Sequence, residues 1–348
     1  MLPVILVSAS KNEHDRGEAK YNGGYKVYNL WVKLLREQGY PAFIVTHDGK
    51  FDPWLIEHQP HISMETMKKW KQANIPMKFV TGWLDAKEFL DCADHFYFYD
   101  CELAYTDGPH GDLLREYSDG RRLEGVATNS RHQQAWYLGH KLEGVALVGE
   151  WSDASLWKYG EIGRRIPGRV GYMVEGHATG AQVRAILARY SEMSILPIEA
   201  QRISGSEVEV IAQMQTCDIF LGMNMGKHRL WGEGCPRSQQ EAMHCGCVVV
   251  AFDVRGNREY LIDNYTGVLC DRGDIDAMAE ALVNLMGDVP FREIVRRRSG
   301  ELISTVFTSK NRWPEVRNFL GLEDQPDDRP PLEEVLEEVY SLAEWREK

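Results

Sequence analysis

Short apolar runs rich in valine and isoleucine alternate with segments of helical spacing, and this alternation limits the fold more than any other feature. The first run, Pro3–Ala9, is followed by a polar loop, by a helix predicted over Tyr25–Gln38 and by a second run, Tyr40–Thr46. Buried parallel strands are continuously apolar, and they need a crossover, usually a helix, between them. The order strand, loop, helix, strand therefore predicts a doubly wound α/β unit.

The same order starts again after a polar, glycine-containing stretch, so the 348 residues are expected to form two domains. Strands of the second half are predicted at Arg169–Val174, Ser194–Ile198, Asp218–Gly222, Val248–Phe252 and Val268–Cys270. The expected parts are a Rossmann-like domain over 1–152, a linker over 153–167, a second Rossmann-like domain over 168–325, and an acidic helix over 326–348. Because that helix carries an apolar stripe, we expect it to pack back on the body.

Charge and composition exclude several classes of protein. Hydrophobic residues make up 43% and charged residues 26%, the balance of a folded globular chain. The net charge of −12 argues against a nucleic-acid partner, although the segment from Glu323 to Lys348, with ten acidic and three basic residues, carries much of it. We find no membrane span of ~20 apolar residues and no signal-peptide pattern. We therefore expect a cytoplasmic protein, free or peripheral to a membrane, with reduced cysteines.

Two short patterns resemble metal sites but are better explained without a metal. His244, Cys245 and Cys247 lack a second Cys/His pair at ligand spacing, so buried thiols are expected there. Asp274 and Asp276 form a DxD pattern, but Asp274 stands immediately before an apolar helix and is expected to be its N-cap. We expect neither a metal nor another cofactor.

The segment Gly232–Cys270 carries the most chemical information. Pro236 suits the start of a helix predicted at Arg237–Cys245. Proline has no backbone N–H, and an N–H in the first helical turn would have no partner within the helix. The amides of the first helical turn then form an anion site. Glu233 precedes this turn, and Glu241 follows eight residues later on the helix. Two carboxylates flanking an anion site suit a ligand with hydroxyls at both ends and a diphosphate between them, which describes a nucleotide-sugar.

This segment resembles the signature of retaining GT-B glycosyltransferases, especially family 4, with its pattern EGFGLxxLEAMAxGxPVVA. Glu233 and Glu241 occupy the two glutamate positions, and Gly256 and Glu259 fit a later GGxxE element. The resemblance is strong from Gly232 to Asp274 and weak before it. It implies two Rossmann-like domains that face a cleft, with the donor bound by the second domain and the acceptor by the first.

The resemblance also implies roles for individual residues. Glu233 would contact the donor sugar and act in catalysis, and Glu241 would hold the ribose hydroxyls. The residues expected to contact the sugar and the diphosphate are Gly234, Cys235, Pro236, Arg237 and Ser238. Gly23 and Gly24, before the first helix, fit either a phosphate-binding glycine loop or a plain turn.

The sequence departs from the family pattern in the donor domain. Cys235 and Pro236 replace the usual phenylalanine and glycine, and no arginine or lysine follows the first strand of this domain to neutralise the diphosphate. Arg237 is our first candidate for that cation, and Lys227 with the two basic residues after it is the alternative.

The first domain lacks a histidine that the family pattern has at a strand end. Tyr97 and Tyr99 stand there instead, followed by Asp100 and Glu102. Parallel sheets bind ligands at the carboxyl ends of their strands, which makes Asp100 a catalytic candidate. Loop acids that cap backbone groups are an equal alternative.

These observations predict a retaining, metal-independent glycosyltransferase that moves a sugar from a nucleoside-diphosphate-sugar to an acceptor hydroxyl. The acceptor is a carbohydrate, a lipid-linked sugar or a small molecule, and the oligomeric state is open. Two alternatives share the fold: a catalytically silent nucleotide-sugar-binding protein and a sugar-nucleotide epimerase. A glycosidase is disfavoured because its paired carboxylates would leave the helix anion site unexplained.

Overall fold

The computed structural model describes residues 3–8, 23–51, 53–82, 92–93, 95–101, 123–140, 142–158, 164–174, 179–225, 233–323 and 331–347. The chain divides into two compact units. The first contains Met1–Asn129, Gln133–Gly149 and Arg312–Lys348, and the second contains Ser130–His132 and Glu150–Asn311. Residues 312–325, which the sequence places in the second domain, therefore belong to the first unit.

Strands and helices alternate along the described residues. The strands are β1 (Val4–Ser8), β2 (Ala42–Thr46), β3 (His61–Ser63), β4 (Met77–Thr81), β5 (Phe96–Asp100), β6 (Leu123–Thr128), β7 (Ala146–Leu147), β8 (Arg169–Tyr172), β9 (Glu199–Arg202), β10 (Ile219–Gly222), β11 (Val248–Phe252) and β12 (Val268–Cys270). The α-helices are α1 (Gly23–Glu37), α2 (Met64–Gln72), α3 (Arg131–Gly139), α4 (Thr179–Met193), α5 (Glu207–Thr216), α6 (Arg237–His244), α7 (Ile275–Gly287), α8 (Val289–Val306), α9 (Ser309–Phe319) and α10 (Leu332–Glu347). Among these helices we find none with the length and apolar character that crossing a bilayer requires.

The first unit is built on a seven-stranded sheet in the order β3-β2-β1-β4-β5-β6-β7, with every pair parallel. All residues of β1, β2 and β5 are buried. A parallel sheet is covered by helices on both faces, so its central strands need apolar side chains on both sides. This explains why the runs at Pro3–Ala9 and Tyr40–Thr46 are apolar without alternation.

The C-terminal helix α10 packs on the core of the first unit. Val339 is fully buried in that core. The ring of Tyr340 lies edge-on to Phe43 and Trp70, with centroid distances of 6.4 and 6.1 Å. Just before the helix, the carbonyl of Glu323 accepts a hydrogen bond from the hydroxyl of Tyr40 at 2.7 Å. Val335 and Val339 of the apolar stripe are thus buried within the unit that contains β1.

The second unit contains a five-stranded parallel sheet in the order β12-β11-β10-β8-β9. Strands β10 and β11 are completely buried. Gly222 ends β10, where an added Cβ would lie only 2.6 Å from Nε2 of Gln239 and 2.7 Å from the Cβ of Ala251. The glycine therefore lets helix α6 approach the carboxyl end of the sheet.

The strand predicted at Ser194–Ile198 is wrong. The structure places β9 at Glu199–Arg202, on the edge of the sheet, and Ile195 is completely exposed. An edge strand with solvent-facing polar residues has no apolar pattern to mark it. The apolar residues just before it lie at the surface, which periodicity alone does not reveal.

A buried charge cluster ties helix α8 to the second sheet. Asp218, 2% exposed, forms an ion pair with the guanidinium of Arg296, and its Oδ2 lies 3.4 Å from Nη2 of Arg292. Arg296 also donates to the backbone carbonyls of Asp218, at 3.1 Å, and Gly246. The Asp218 carboxylate thus pairs with two buried cations where α8 packs against α6 and β11, and Arg296 also pairs with the more exposed Glu293 at 3.1 Å.

We expect Asp218→Asn to lower the free energy of unfolding by about 3–5 kcal/mol, because removing one partner leaves buried charge uncompensated. Urea denaturation followed by far-ultraviolet circular dichroism measures the change. Asp276→Asn is the matched control, since its ion pair with Arg189 is exposed and should contribute less than about 1 kcal/mol. Equal losses in the two variants would contradict the special role of the buried cluster.

Candidate functional site

Helix α6 is buried along its whole length, although six of its eight residues are polar. Burying a polar group without a hydrogen bond is unfavourable, so such groups are nearly always paired in folded proteins. The neighbours of α6 must therefore supply specific partners. Those partners define the candidate site.

The helix begins close to the predicted position. Pro236 is the N-cap residue and Arg237 is the first helical residue, so the proline stands one position before the first turn. The N–H groups of Arg237, Ser238 and Gln239 have no acceptor within the helix. They carry the partial positive charge of the helix N-terminus, which favours a bound anion.

The segment after β11, residues 253–260, lies against this first turn, and we call it the β11 turn. The hydroxyl of Tyr260 donates to the carbonyl of Pro236 at 2.7 Å. The side-chain amide of Asn257 donates to Oε1 of Gln239 at 3.3 Å. Both Asn257 and Tyr260 are fully buried. The β11 turn thereby holds the start of α6 in place.

Glu233 and Gly234 are held against the same turn. The N–H of Glu233 donates to the carbonyl of Val254 at 3.1 Å, and Glu233 forms a parallel bridge with Arg255. A Cβ added to Gly256 would lie 1.8 Å from the carbonyl oxygen of Gly234 and 2.2 Å from that of Glu233. Glu233, the first turn of α6 and the β11 turn therefore form one assembly, held by direct backbone contact.

The side chain of Arg237 is paired with a protein carboxylate. Its Nη1 donates to Oε2 of Glu150 at 3.0 Å and its Nη2 to the carbonyl of Trp151 at 3.2 Å. The Arg237 and Glu150 side chains are only 6% and 2% exposed. The residue that we expected to neutralise a diphosphate is thus an ion-pair partner that joins Glu150 to α6.

Glu241 lies beside the same cation. Its side chain is fully buried, and its Oε1 is 3.8 Å from Nε of Arg237. Cys235 is also buried, with its sulfur 2.9 Å from Nε2 of Gln240. The structure therefore brings together most of the candidate donor residues, which are Glu233, Gly234, Cys235, Pro236, Arg237, Ser238 and Glu241.

The remaining candidates lie elsewhere. Gly23 and Gly24 form the start of α1 and Asp100 ends β5, all in the first unit. Asp100 is buried and accepts a hydrogen bond from the hydroxyl of Tyr137 at 2.8 Å. Burial, and then the charge and hydrogen bond of Asp100, raise the pKa of Tyr137 well above its ordinary value, so the phenol remains a donor. Lys227 lies outside the described residues.

The two patterns that resembled metal sites have structural roles. Oδ1 of Asp274 accepts a hydrogen bond from the N–H of Ala277 at 2.9 Å, which confirms the predicted N-cap of α7. Cys245 and Cys247 are fully buried, as predicted. Burial raises the pKa of the Cys247 thiol well above its ordinary value, so this thiol stays protonated near neutral pH.

Sequence reasoning missed three residues that build the assembly. Asn257 and Tyr260 connect the β11 turn to α6, and Glu150 pairs with Arg237. Asn257 lies inside the GGxxE-like element, which was a usable signal. Glu150 had none, since its partner is 87 residues away.

A known protein family matches the part of the chain that contains this assembly. Residues 198–300, which include the whole assembly except Glu150 and Trp151, match the family described as Glycosyl transferases group 1. No curated protein sequence matches the chain.

Solved structures share the fold over nearly the whole chain. Anabaena HepE in complex with UDP-glucose is 14% identical, with a TM-score of 0.71 over 91% of this chain and 99% of that one. A glycosyltransferase from Rickettsia africae is 11% identical, with a TM-score of 0.65 over 98% of each chain. Sucrose-phosphate synthase from Thermosynechococcus elongatus is 13% identical, with a TM-score of 0.64 over 97% of this chain and 99% of that one.

The fold is therefore GT-B, with two Rossmann-like units, as predicted. Within it, residues 198–300 match the Glycosyl transferases group 1 family. The match and the shared fold both support the predicted glycosyltransferase activity.

We expect Gly256→Ala to lower the free energy of unfolding by about 1–3 kcal/mol, because the new methyl group overpacks the contact with the Glu233 and Gly234 carbonyls. Chemical denaturation measures the loss. Gly287→Ala is the matched control, since nothing lies within 4 Å of a Cβ at that position. A Gly256 variant as stable as the control would show that the two loops are not held in contact.

Proposed function

We propose that the protein transfers a sugar from a nucleoside-diphosphate-sugar to an acceptor hydroxyl, with retention of configuration and without a metal ion. The observation that carries this proposal is the position of Glu233, fastened beside the N-terminus of buried helix α6 inside a glycosyltransferase group 1 domain. The structure of Anabaena HepE with UDP-glucose makes uridine diphosphate the first donor nucleotide to test.

The first turn of α6 binds the donor diphosphate in this proposal. The amides of Arg237 and Ser238 supply hydrogen bonds, and the helix N-terminus supplies partial positive charge. The carboxylate of Glu233 accepts hydrogen bonds from sugar hydroxyls. Gly234, Cys235 and Pro236 line the space between them, where the backbone approaches the ligand.

Glu241 holds the ribose hydroxyls. Its two carboxylate oxygens can accept hydrogen bonds from two hydroxyls, and Arg237 lies beside it. Because this carboxylate is covered here, ribose binding requires it to become accessible. Gly23, Gly24 and Lys227 are further proposed donor ligands.

The reaction needs no protein nucleophile. The bond between the anomeric carbon and the diphosphate oxygen breaks, and the acceptor oxygen bonds to the same face of the anomeric carbon. The acceptor proton passes to the departing diphosphate oxygen. The amides of α6 stabilise the negative charge that develops on the leaving group, an effect worth about 10²–10³-fold in rate per donor. Asp100, at the end of β5 in the first unit, is a further proposed catalytic residue.

The first experiment is thermal stabilisation by UDP, GDP, ADP, CMP and their sugars. We expect one nucleotide series to raise the melting temperature by mass action, and Glu241→Ala to abolish that rise. Glu233→Gln should still bind the nucleotide but should lower transfer by about 100-fold or more, because the carboxylate contacts the reacting sugar. Glu301→Gln, at an exposed helix position, is the control and should behave as the wild-type protein.

The assay also separates the alternatives. Product linkage determined by nuclear magnetic resonance tests retention, and activity in the presence of EDTA tests metal independence. Donor binding without transfer to any acceptor would favour the catalytically silent protein. Conversion of the donor sugar without an acceptor would favour the epimerase. No stabilisation by any nucleotide would overturn the proposed function.

A further inference from the structure

Arg255 occupies a backbone conformation that favours glycine. Its φ is +69° and its ψ is −48°. The N–H of Gly256 donates to the carbonyl of Val254 at 2.9 Å, which closes a three-residue γ-turn of the rare, strained type with positive φ. Residues with side chains avoid this region, and strained residues persist where the surrounding structure holds them, often at functional sites.

Asp253 holds this strained turn. Its Oδ1 accepts hydrogen bonds from the backbone N–H of Arg255 and from Nε of Arg258, both at 3.0 Å. Burial opposes the charged form, but these hydrogen bonds and the nearby arginines keep the pKa of Asp253 below its ordinary value. The Asp253 carboxylate therefore fixes the backbone of Arg255 through a hydrogen bond, and Asp253 forms its ion pair with Arg258.

The guanidinium of Arg255 is available to a ligand. The side chain is exposed, and it makes no ion pair with a carboxylate of the described residues. Three other arginines of this unit contrast with it. Arg237 is paired with Glu150, Arg258 with Asp253, and Arg296 with Asp218.

Arg255 is also placed beside the proposed anion site. Its backbone forms a parallel β-bridge with Glu233. The next residue, Gly256, contacts the carbonyls of Glu233 and Gly234. Farther along the β11 turn, Tyr260 contacts Pro236 at the N-terminus of α6. The backbone of Arg255 is thus held next to the residues that lead into α6. A guanidinium binds phosphate oxygens in a bidentate manner, which makes it a better match for a diphosphate than a point charge.

We propose that Arg255 is the cation that binds the diphosphate of the donor. This rests on the proposed function and assigns a further binding residue to the same site. It takes the role that we first expected for Arg237, whose guanidinium is committed to Glu150. Arg255 neutralises the leaving group in the ground state and as its charge grows during transfer.

The test compares binding of UDP, UMP and uridine by isothermal titration calorimetry to wild-type protein, Arg255→Gly and Arg255→Lys. Arg255→Gly should weaken UDP binding by 10-fold or more and leave uridine binding unchanged. Arg255→Lys should retain an intermediate affinity because it keeps the charge but loses the bidentate contact. Since glycine relaxes the turn, the melting temperature of Arg255→Gly should equal or exceed that of the wild type, which separates lost binding from lost folding.

Several results would overturn the proposal. Wild-type affinity for UDP in Arg255→Gly would remove Arg255 from the diphosphate site and leave the proposed function intact. A parallel loss of uridine affinity would mean that the substitution reshapes the site. An equal loss of UDP affinity in Arg297→Gln, which removes an exposed charge on α8, would reduce the effect to general electrostatics. If the wild type bound neither UDP nor any other nucleotide of the panel, the proposed function itself would be wrong.

Discussion

The burial of a polar helix is the constraint on which the donor-side geometry depends. Helix α6 lies under the protein surface with six polar side chains, and each needs a partner to offset its loss of water. Asn257 donates a hydrogen bond to Gln239, Arg237 pairs with Glu150, and Tyr260 donates to the carbonyl of Pro236. These contacts draw the β11 turn and the residues near Glu150 onto the start of the helix. These contacts hold the N-terminus of α6, the proposed anion site, in a fixed position, as stabilisation of a charged transition state requires.

The distribution of cations follows from the same need. A buried guanidinium is tolerated when a carboxylate compensates it, and Arg237 and Arg296 both meet that condition. Their charges stabilise the fold and are not available to a ligand. Arg255 differs from both of these residues. Its backbone is strained, which lowers the stability of the fold, and its exposed side chain makes no ion pair with the described residues. Stability and ligand binding are thus assigned to different arginines within one small region.

The sequence predicted the parts of this architecture that depend on local pattern. Apolar runs located the buried strands of both sheets, and Pro236 located the start of α6 to within one residue. The spacing of Glu233 and Glu241 predicted that both belong to one site. The polar edge strand β9 was misplaced, because a strand with solvent-facing side chains has no apolar signature. The sequence prediction also missed that residues 312–325 belong to the first unit, because this depends on contacts with residues far away in the chain.

By itself, then, the sequence determined most of the succession of strands and helices, the class of fold and the neighbourhood of the proposed donor site. Each depends on residues that are close together in the chain. Tertiary structure alone decided the pairing of Arg237 with Glu150, the contact of Gly256 with Glu233 and the positive φ of Arg255. The physical reason is that charge pairing and backbone contact depend on distance in space. A sequence can show that a cation is present, but only the folded chain determines whether a carboxylate has already neutralised it.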